Sequence, residues 1–240
     1  MIKGQNTRDY YWEIIKELKA EKGKPNKFFG KNYSGNTDPS LHISIPTMRK
    51  IAKGFVHSHQ NITLEQLIRL LNLLYQGKYD EEKQFGGKLL QYYPQLRSQV
   101  KPSQLNFWLD NLNGWAQVDS LCQSVFTDKD MLVNWKEWKK VILEFSKSKN
   151  VNKRRASLVL LTGPVRQTTD DKFAKLGFLI ISSLKKENDI LITKAISWLL
   201  REMIKNHKEK VYIYVRKNRK TLPKIAVRET ERKLETGVKN

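Results

Sequence analysis

The sequence has a single cysteine, Cys122, and it has no long run of apolar residues. One cysteine excludes an internal disulfide framework and is typical of a reducing compartment. No apolar stretch approaches the roughly 18–20 residues that a membrane span needs, and the N-terminal stretch lacks the apolar core of a signal peptide. These absences predict a soluble, intracellular protein.

Acidic residues are scarce relative to basic ones. The chain has 45 Lys and Arg against 24 Asp and Glu, a formal net charge of +21 and a pI near 9.9. The excess is concentrated toward the end, since residues 151–240 contain 22 basic and 9 acidic residues. A charge of this size exceeds what solubility requires, and it predicts a polyanionic partner such as nucleic acid.

Alternating, strand-like patterns are also rare, whereas apolar residues recur with helical spacing along nearly the whole chain. Proline, glycine and asparagine residues mark short connections, and there is no low-complexity tract or long linker. The pattern predicts helices over the stretches 7–23, 45–56, 63–77, 79–93, 102–112, 115–127, 129–147, 151–162, 169–186, 189–206, 207–217 and 223–235.

Many short helices joined by tight turns are compatible with a globular bundle or with stacked helical pairs. The apolar fraction of 39% is low, and a thin two-layer stack buries less apolar surface than one deep core. We therefore predict an all-α, HEAT-like solenoid of antiparallel helix pairs that forms a curved superhelix. It is expected to be one domain over residues 1–240 with a basic concave face.

Asp119 does not fit the apolar stripe on which it lies. In the segment "NGWAQVDSLCQSVF" it shares a helical stripe with Trp115, Val118 and Cys122. One interpretation is a carboxylate at the edge of the stripe, with solvent access or a structural salt bridge. The other is a carboxylate that meets a cation from the protein or from a ligand, because an unpaired buried carboxylate is costly.

Trp198 is the second anomaly, since it points away from the apolar stripe of its helix toward the basic residues Lys194 and Arg201. Its ring either packs on a neighbouring helix or is presented to a base, a sugar or a cation. Arg154 and Arg155 lie beside another apolar stripe, and periodicity does not choose between them as partner of a carboxylate or phosphate.

The spacing of these residues connects them. Asp119 precedes Arg155 by 36 residues, and Arg155 precedes Trp198 by 43. Each interval is close to the ~40–47 residues of a HEAT-type helix pair. Equivalent helices of three successive repeats are therefore expected to present these residues on one concave wall.

Other chemistries have little support in the sequence. His57 and His59 have no nearby cysteine or carboxylate cluster, so we expect no metal. The segment "FGGKLL" lacks the glycine pattern of a phosphate-binding loop. No histidine is spaced from Cys122 in a way that indicates a catalytic Cys–His pair, so a thiol nucleophile is not favoured. No cofactor is expected.

Three segments, "GWAQVDS", "KRRAS" and "ITKAISWLLRE", resemble motifs of the HEAT-repeat DNA alkylation repair glycosylases, the AlkD-like family. "SIPTMRKIAK" resembles an early helix start of that family, although Ile45 and His42 depart from its pattern. Tyr33, thirteen residues before Pro46, falls where the family has a tyrosine. The order and spacing of the motifs agree from about residue 10 to residue 235.

The resemblance implies a monofunctional DNA glycosylase of base excision repair that hydrolyses the N-glycosidic bond of N3- and N7-alkylated purines. Matched by position, it assigns catalytic roles to Asp119, Trp115 and Trp198, and it selects Arg155 as the family arginine. Together with the basic residues beside Trp198 and Arg155, this predicts that the contacts to DNA or its phosphates are Arg155, Arg154, Lys194, Arg201 and Tyr33.

The expected partner is double-stranded DNA with alkylated purines, bound by a monomer that works in the cytoplasm with the nucleoid. The alternative is a non-catalytic HEAT-like protein that binds damaged or branched DNA. The presence of all four central residues in the sequence argues against that alternative.

Overall fold

A computed structural model describes residues 6–25, 35–123 and 125–238 of the chain. These residues contain helices and no strand, so the prediction of an all-α fold is confirmed. The chain divides into two compact units, Met1–Leu121 and Cys122–Asn240, and each is described by itself. The expectation of one domain over the whole length stays a prediction.

The described residues of the first unit form seven helices, the last of which ends at the division between the units. They are α1 (Thr7–Ala20), α2 (Ile45–Ser58), α3 (Leu64–Tyr75), α4 (Asp80–Tyr92), α5 (Pro94–Arg97), α6 (Gln104–Asp110) and α7 (Gly114–Cys122).

Helix pairs form two layers in this unit. Helix α1 packs against α2, and α3 packs against α4; α1 also lies against α3, and α2 against α4. Like helices of successive pairs therefore stack on each other, which is the arrangement of a helical repeat. Fully buried leucines such as Leu18, Leu67 and Leu71 fill the space between the layers.

Local sequence signals set where these helices begin. The Ser44 hydroxyl accepts a hydrogen bond from the amide of Thr47, and Pro46 occupies the first turn of α2, where its missing N–H is not needed. Thr63 and Gln66 form the capping box predicted for α3, each side chain accepting from the other's backbone amide.

Six further helices are formed by the part of the second unit that the structure describes. They are α8 (Asp128–Val133), α9 (Trp135–Ser146), α10 (Val151–Gln167), α11 (Asp171–Leu184), α12 (Ile190–Asn218) and α13 (Lys224–Thr236). Helices α9 and α10 pack as one pair and α11 and α12 as the next, with α9 stacked on α11 and α10 on α12. The helices that carry Arg155 and Trp198 are thus equivalent members of successive pairs.

The helices predicted over 129–147 and 151–162 in the second unit differ from the observed ones. The helix expected over 129–147 is interrupted at Asn134, whose φ of −136° and ψ of 53° separate α8 from α9. The helix expected over 151–162 continues through Pro164 to Gln167. Burial on nearly all sides of α10 outweighs the proline, and the Asn206 side chain donates to carbonyl groups at its C-terminal end.

The predicted boundary between 206 and 207 is a kink rather than a connection. His207 has a φ of −137° and a ψ of 36° inside α12, which continues beyond it. The helix predicted over 115–127 ends at Cys122, so the apolar residues Val125 and Phe126 are buried outside the helix rather than on its stripe.

Candidate DNA-processing site

Helix α7 begins at a left-handed glycine. Gly114 has a φ of +76°, a conformation that residues with a Cβ rarely adopt. The amide of Asn113 donates to the Gln117 side chain at 2.7 Å across this first turn. Gly35 has a φ of +69°, and a Cβ placed on it would lie 3.4 Å from Cδ1 of Trp115. The backbone at Gly35 therefore passes close to the indole edge.

Trp115 and Asp119 lie one turn apart on α7 and are both partly exposed. Val118 and Cys122 on the same helix are fully buried. The carboxylate consequently lies at the edge of the apolar stripe rather than within the core. This position leaves Asp119 within reach of a ligand, and partial exposure is also what the edge-of-stripe interpretation expected.

A buried polar network fixes the inner face of α7. The Gln117 amide is fully buried and donates to Asp38 Oδ2 at 2.7 Å and to Asp80 Oδ1 at 2.9 Å. Asn36 donates to the same Asp80 oxygen, and Lys83 forms a 2.7 Å ion pair with Asp38. Burial raises the pKa of Asp80, while the hydrogen bond from Gln117 acts in the opposite direction.

Ser120, next to Asp119, ties α7 to α4. Its hydroxyl donates to the Gln84 carbonyl at 2.7 Å and accepts from Lys88 Nζ at 2.9 Å. Lys88 is buried, and burial together with the nearby positive Arg49 lowers its pKa to about 8. Gly87 allows this close approach, since a Cβ there would overlap the Ser120 carbonyl oxygen.

In the second unit the structure distinguishes Arg154 from Arg155. Arg154 donates to the carbonyls of Ser148 and Lys149 after α9, both at 2.9 Å, and forms an ion pair with Glu187. Arg155 is only 5% exposed and donates to the Leu191 carbonyl in the first turn of α12 at 2.6 Å. The contacts of Arg154 support a structural role, and the prediction that it contacts phosphate stays a prediction.

Trp198 is half-buried on α12, and its indole N–H donates to Glu202 at 3.1 Å. Glu202 also pairs with Arg166 of α10 at 3.3 Å. The ring is therefore held by a carboxylate that a neighbouring helix holds in turn. Lys194, one turn before Trp198, is exposed on the same side of the helix.

Arg201 joins α12 to α13. Its side chain is nearly buried, lies 3.3 Å from Glu229 and donates to the Ser197 carbonyl. The Ser197 hydroxyl donates to the same Glu229 oxygen at 2.6 Å. These contacts support a structural role for Arg201, and its contact with phosphate stays a prediction.

The predicted site residues fall in both units. Trp115 and Asp119 share α7, whereas Arg155 lies on α10 and Lys194 and Trp198 lie on α12. Tyr33 lies outside the described residues. The expectation that all of them line one wall stays a prediction.

Sequence reasoning missed the side chains that position these residues. They are Asp38, Asp80, Gln117 and Lys88 around α7, and Arg166, Glu202 and Glu229 around α12. Trp198 and Glu202 are one helical turn apart, so their contact could have been predicted from the sequence. The other partners are remote from each other in the sequence.

The described residues contain no group of three or more histidine, cysteine or acidic side chains arranged to hold a metal ion. The described part of the chain also has no helix long and apolar enough to cross a bilayer.

Stacked helix pairs place this chain among helical-repeat proteins. A family model described as DNA alkylation repair enzyme matches residues 14–234, and the chain belongs to that family. The family supports a role in the repair of alkylated DNA. No curated relative matches the sequence.

The fold is similar to a solved structure described as a predicted DNA alkylation repair enzyme from Enterococcus faecalis. The TM-score is 0.70 at 17% sequence identity, with 98% of this chain and 100% of that chain covered. At this identity the likeness concerns the fold.

Proposed function

We propose that the protein is a monofunctional DNA glycosylase that hydrolyses the N-glycosidic bond of positively charged N3- and N7-alkylated purines. The observation that carries the proposal is the pair Asp119 and Trp115, one turn apart on the partly exposed face of a helix that buried hydrogen bonds hold in place. Membership in the repair family supplies the context.

The proposed reaction does not need a general acid. An alkylated purine carries a formal positive charge, so when the bond between C1′ and the base nitrogen breaks, its electron pair neutralises the base. The deoxyribose is left as an oxocarbenium-like cation, which an anion stabilises and water attacks. One carboxylate and no acid–base pair are sufficient for this reaction.

In this scheme Asp119 stabilises the sugar cation and accepts a proton from the attacking water as the new C1′–O bond forms. Trp115 packs against the deoxyribose and offers a π face to the cationic lesion. The fixed first turn of α7 keeps the two side chains in register.

Trp198 provides a second aromatic surface for the nucleotide, with its ring orientation set by Glu202. Arg155 and Lys194 contact phosphates. The net charge of +21 supports a duplex DNA partner, and we propose a monomer that works on chromosomal DNA in the cytoplasm.

The test is release of N7-methylguanine and N3-methyladenine from methylated duplex DNA under single-turnover conditions. Asp119→Asn should reduce the rate by roughly a hundredfold or more while DNA affinity is kept. Asp110→Asn, at an exposed position at the end of α6, is the control and should leave the rate unchanged. Equal rates for wild type and Asp119→Asn would remove the catalytic role.

A wild type that binds methylated DNA but releases no base would replace the glycosylase with the non-catalytic DNA-binding alternative. Binding without release in every variant would point to the same conclusion.

A further inference from the structure

A basic groove lies near the end of the chain in the second unit, and none of the residues assigned a role above lines it. It has a volume of about 880 Å³ and lies between the end of α12, the turn that follows and α13. Seven of its 12 lining residues are basic and two are acidic. The basic residues are Arg216, Lys217, Arg219, Lys220, Lys224, Arg228 and Arg232.

The charges in this groove, called here the C-terminal basic groove, are largely uncompensated. All seven basic side chains are exposed. Arg219 pairs with Glu231 at 2.9 Å, and Arg216 donates to the Tyr212 hydroxyl. Among the described residues, no carboxylate lies within ion-pair distance of the other five.

Helix stability does not explain these cations. Lys224, Arg228 and Arg232 follow one another at four-residue intervals, so they form one stripe along about 12 Å of α13. Like charges at this spacing repel each other. Lys224 also occupies the first turn, where the helix dipole disfavours a cation and no acidic residue is present.

The two helices that carry the groove residues are nevertheless held together by buried side chains. Val215 of α12, Ala226 and Thr230 of α13, and Leu222 in the turn between the two helices are buried. Helices α12 and α13 pack against each other, and Arg201 and Glu229 pair between them. The basic side chains therefore project from a fixed frame.

We propose that the C-terminal basic groove binds the phosphate backbone of duplex DNA, as a contact surface separate from the residues that act on the damaged nucleotide. A row of long basic side chains neutralises phosphates without reading bases, so the contact is independent of sequence and of damage. The choice of DNA as the polyanion rests on the proposed function.

The groove variant combines Lys220→Gln, Lys224→Gln, Arg228→Gln and Arg232→Gln. A matched control removes the same charge from exposed lysines on α8 and α9 with Lys129→Gln, Lys136→Gln, Lys139→Gln and Lys140→Gln. Affinity for an undamaged duplex is measured by fluorescence anisotropy over a range of salt concentrations. Circular dichroism and thermal unfolding check that both variants are folded.

The groove variant should bind DNA at least roughly tenfold more weakly, and its log–log salt slope should fall by up to about 0.9 for each phosphate that the protein no longer neutralises. The control should change both quantities much less. Equal losses in the two variants, or a wild-type affinity and slope in the groove variant, would overturn the proposal. Tighter binding of the wild-type groove to duplex RNA or to an acidic peptide would also overturn it.

Base release separates this proposal from the proposed function. At protein concentrations that saturate the DNA, the groove variant should release alkylated purines at the wild-type rate. A wild type without base release refutes the glycosylase, while the anisotropy comparison still decides whether the groove binds DNA.

Discussion

The indole N–H of Trp198 donates to Glu202 at 3.1 Å, one turn further along α12. Glu202 has little exposed surface and is itself paired with Arg166 on the adjacent helix α10. A half-buried tryptophan on a basic helix face is therefore restrained in one orientation by a partner that two helices share. We expect this restraint to matter for how the ring meets a nucleotide.

Glu202→Leu should release the Trp198 ring and lower single-turnover base release by roughly ten- to a hundredfold, because misplacement of a positioning group by about 1 Å has effects of that size. Fluorotryptophan NMR, with the Trp198 signal assigned through Trp198→Phe, should show that resonance shift or broaden. Glu202→Gln keeps an acceptor and should have the smaller effect. An unchanged Trp198 resonance in Glu202→Leu would contradict the restraint.

Gly87 should be intolerant of a methyl group. A Cβ at this position of α4 would overlap the Ser120 carbonyl oxygen on α7. Gly87→Ala is expected to lower the free energy of unfolding by about 1–3 kcal/mol, as overpacking does. It should also displace the helix that carries Trp115 and Asp119, so the rate of base release should fall even where the variant is fully folded.

Gly54→Ala is the matched control. Gly54 is an exposed glycine inside α2, and nothing lies within 4 Å of the point that a Cβ would occupy there. Alanine at this position should raise the free energy of unfolding by about 0.5–1 kcal/mol and leave base release unchanged. Urea unfolding measures both variants, and a stable, fully active Gly87→Ala would show that α4 and α7 do not depend on this close approach.

Arg154 and Arg155, adjacent in sequence, should differ in what their loss affects. Arg154→Gln removes the ion pair with Glu187 and two bonds to carbonyls, so it should lower the free energy of unfolding by about 1–3 kcal/mol. DNA affinity at low temperature should change little. Arg155→Lys keeps the charge but loses the guanidinium fork, and it should weaken DNA binding. If Arg154→Gln weakened DNA binding and Arg155→Lys lowered only the free energy of unfolding, the two roles would be exchanged.

The sequence predicts the helices well where the local signals act alone. Thr63 with Gln66, and Pro46 in a first turn, fix helix starts that the structure keeps. Local signals fail where tertiary packing decides. Pro164 predicts a helix end, but burial around α10 carries the helix past it, and the carbonyl partner Asn206 lies about forty residues away. Asn134 interrupts a periodic stretch that reads as one helix.

The residues of the candidate site are likewise predictable from the sequence only in part. Asp119 and Trp198 stand out because each contradicts the pattern of its own helix. The groups that hold them do not stand out, because Gln117 meets Asp38 and Asp80 only through the fold. Three successive acidic residues at the start of α4 read as a favourable helix terminus, and nothing local indicates that they are buried.

Lys88 should give the protein a distinctive dependence of stability on pH. Burial, followed by the positive charge of Arg49, lowers its pKa from 10.5 to about 8 in the folded state. Between these pH values the unfolded chain binds a proton that the folded chain has lost, so the free energy of unfolding should rise with pH across the window. Below pH 8 both states are protonated, and the folded state carries the whole cost of roughly 3 kcal/mol.

Lys88→Met removes this titration. It also removes the hydrogen bond to Ser120, and we expect that loss of stability to be the same at every pH. In urea unfolding, wild type should therefore gain stability relative to Lys88→Met as the pH is raised from 7 toward 10. Lys16→Met, at an exposed position of α1, is the control and should keep a constant difference from wild type. A difference between wild type and Lys88→Met that does not vary with pH would contradict the lowered pKa. Lys88 would then keep its proton in the folded protein throughout this range, as a buried ammonium beside Ser120.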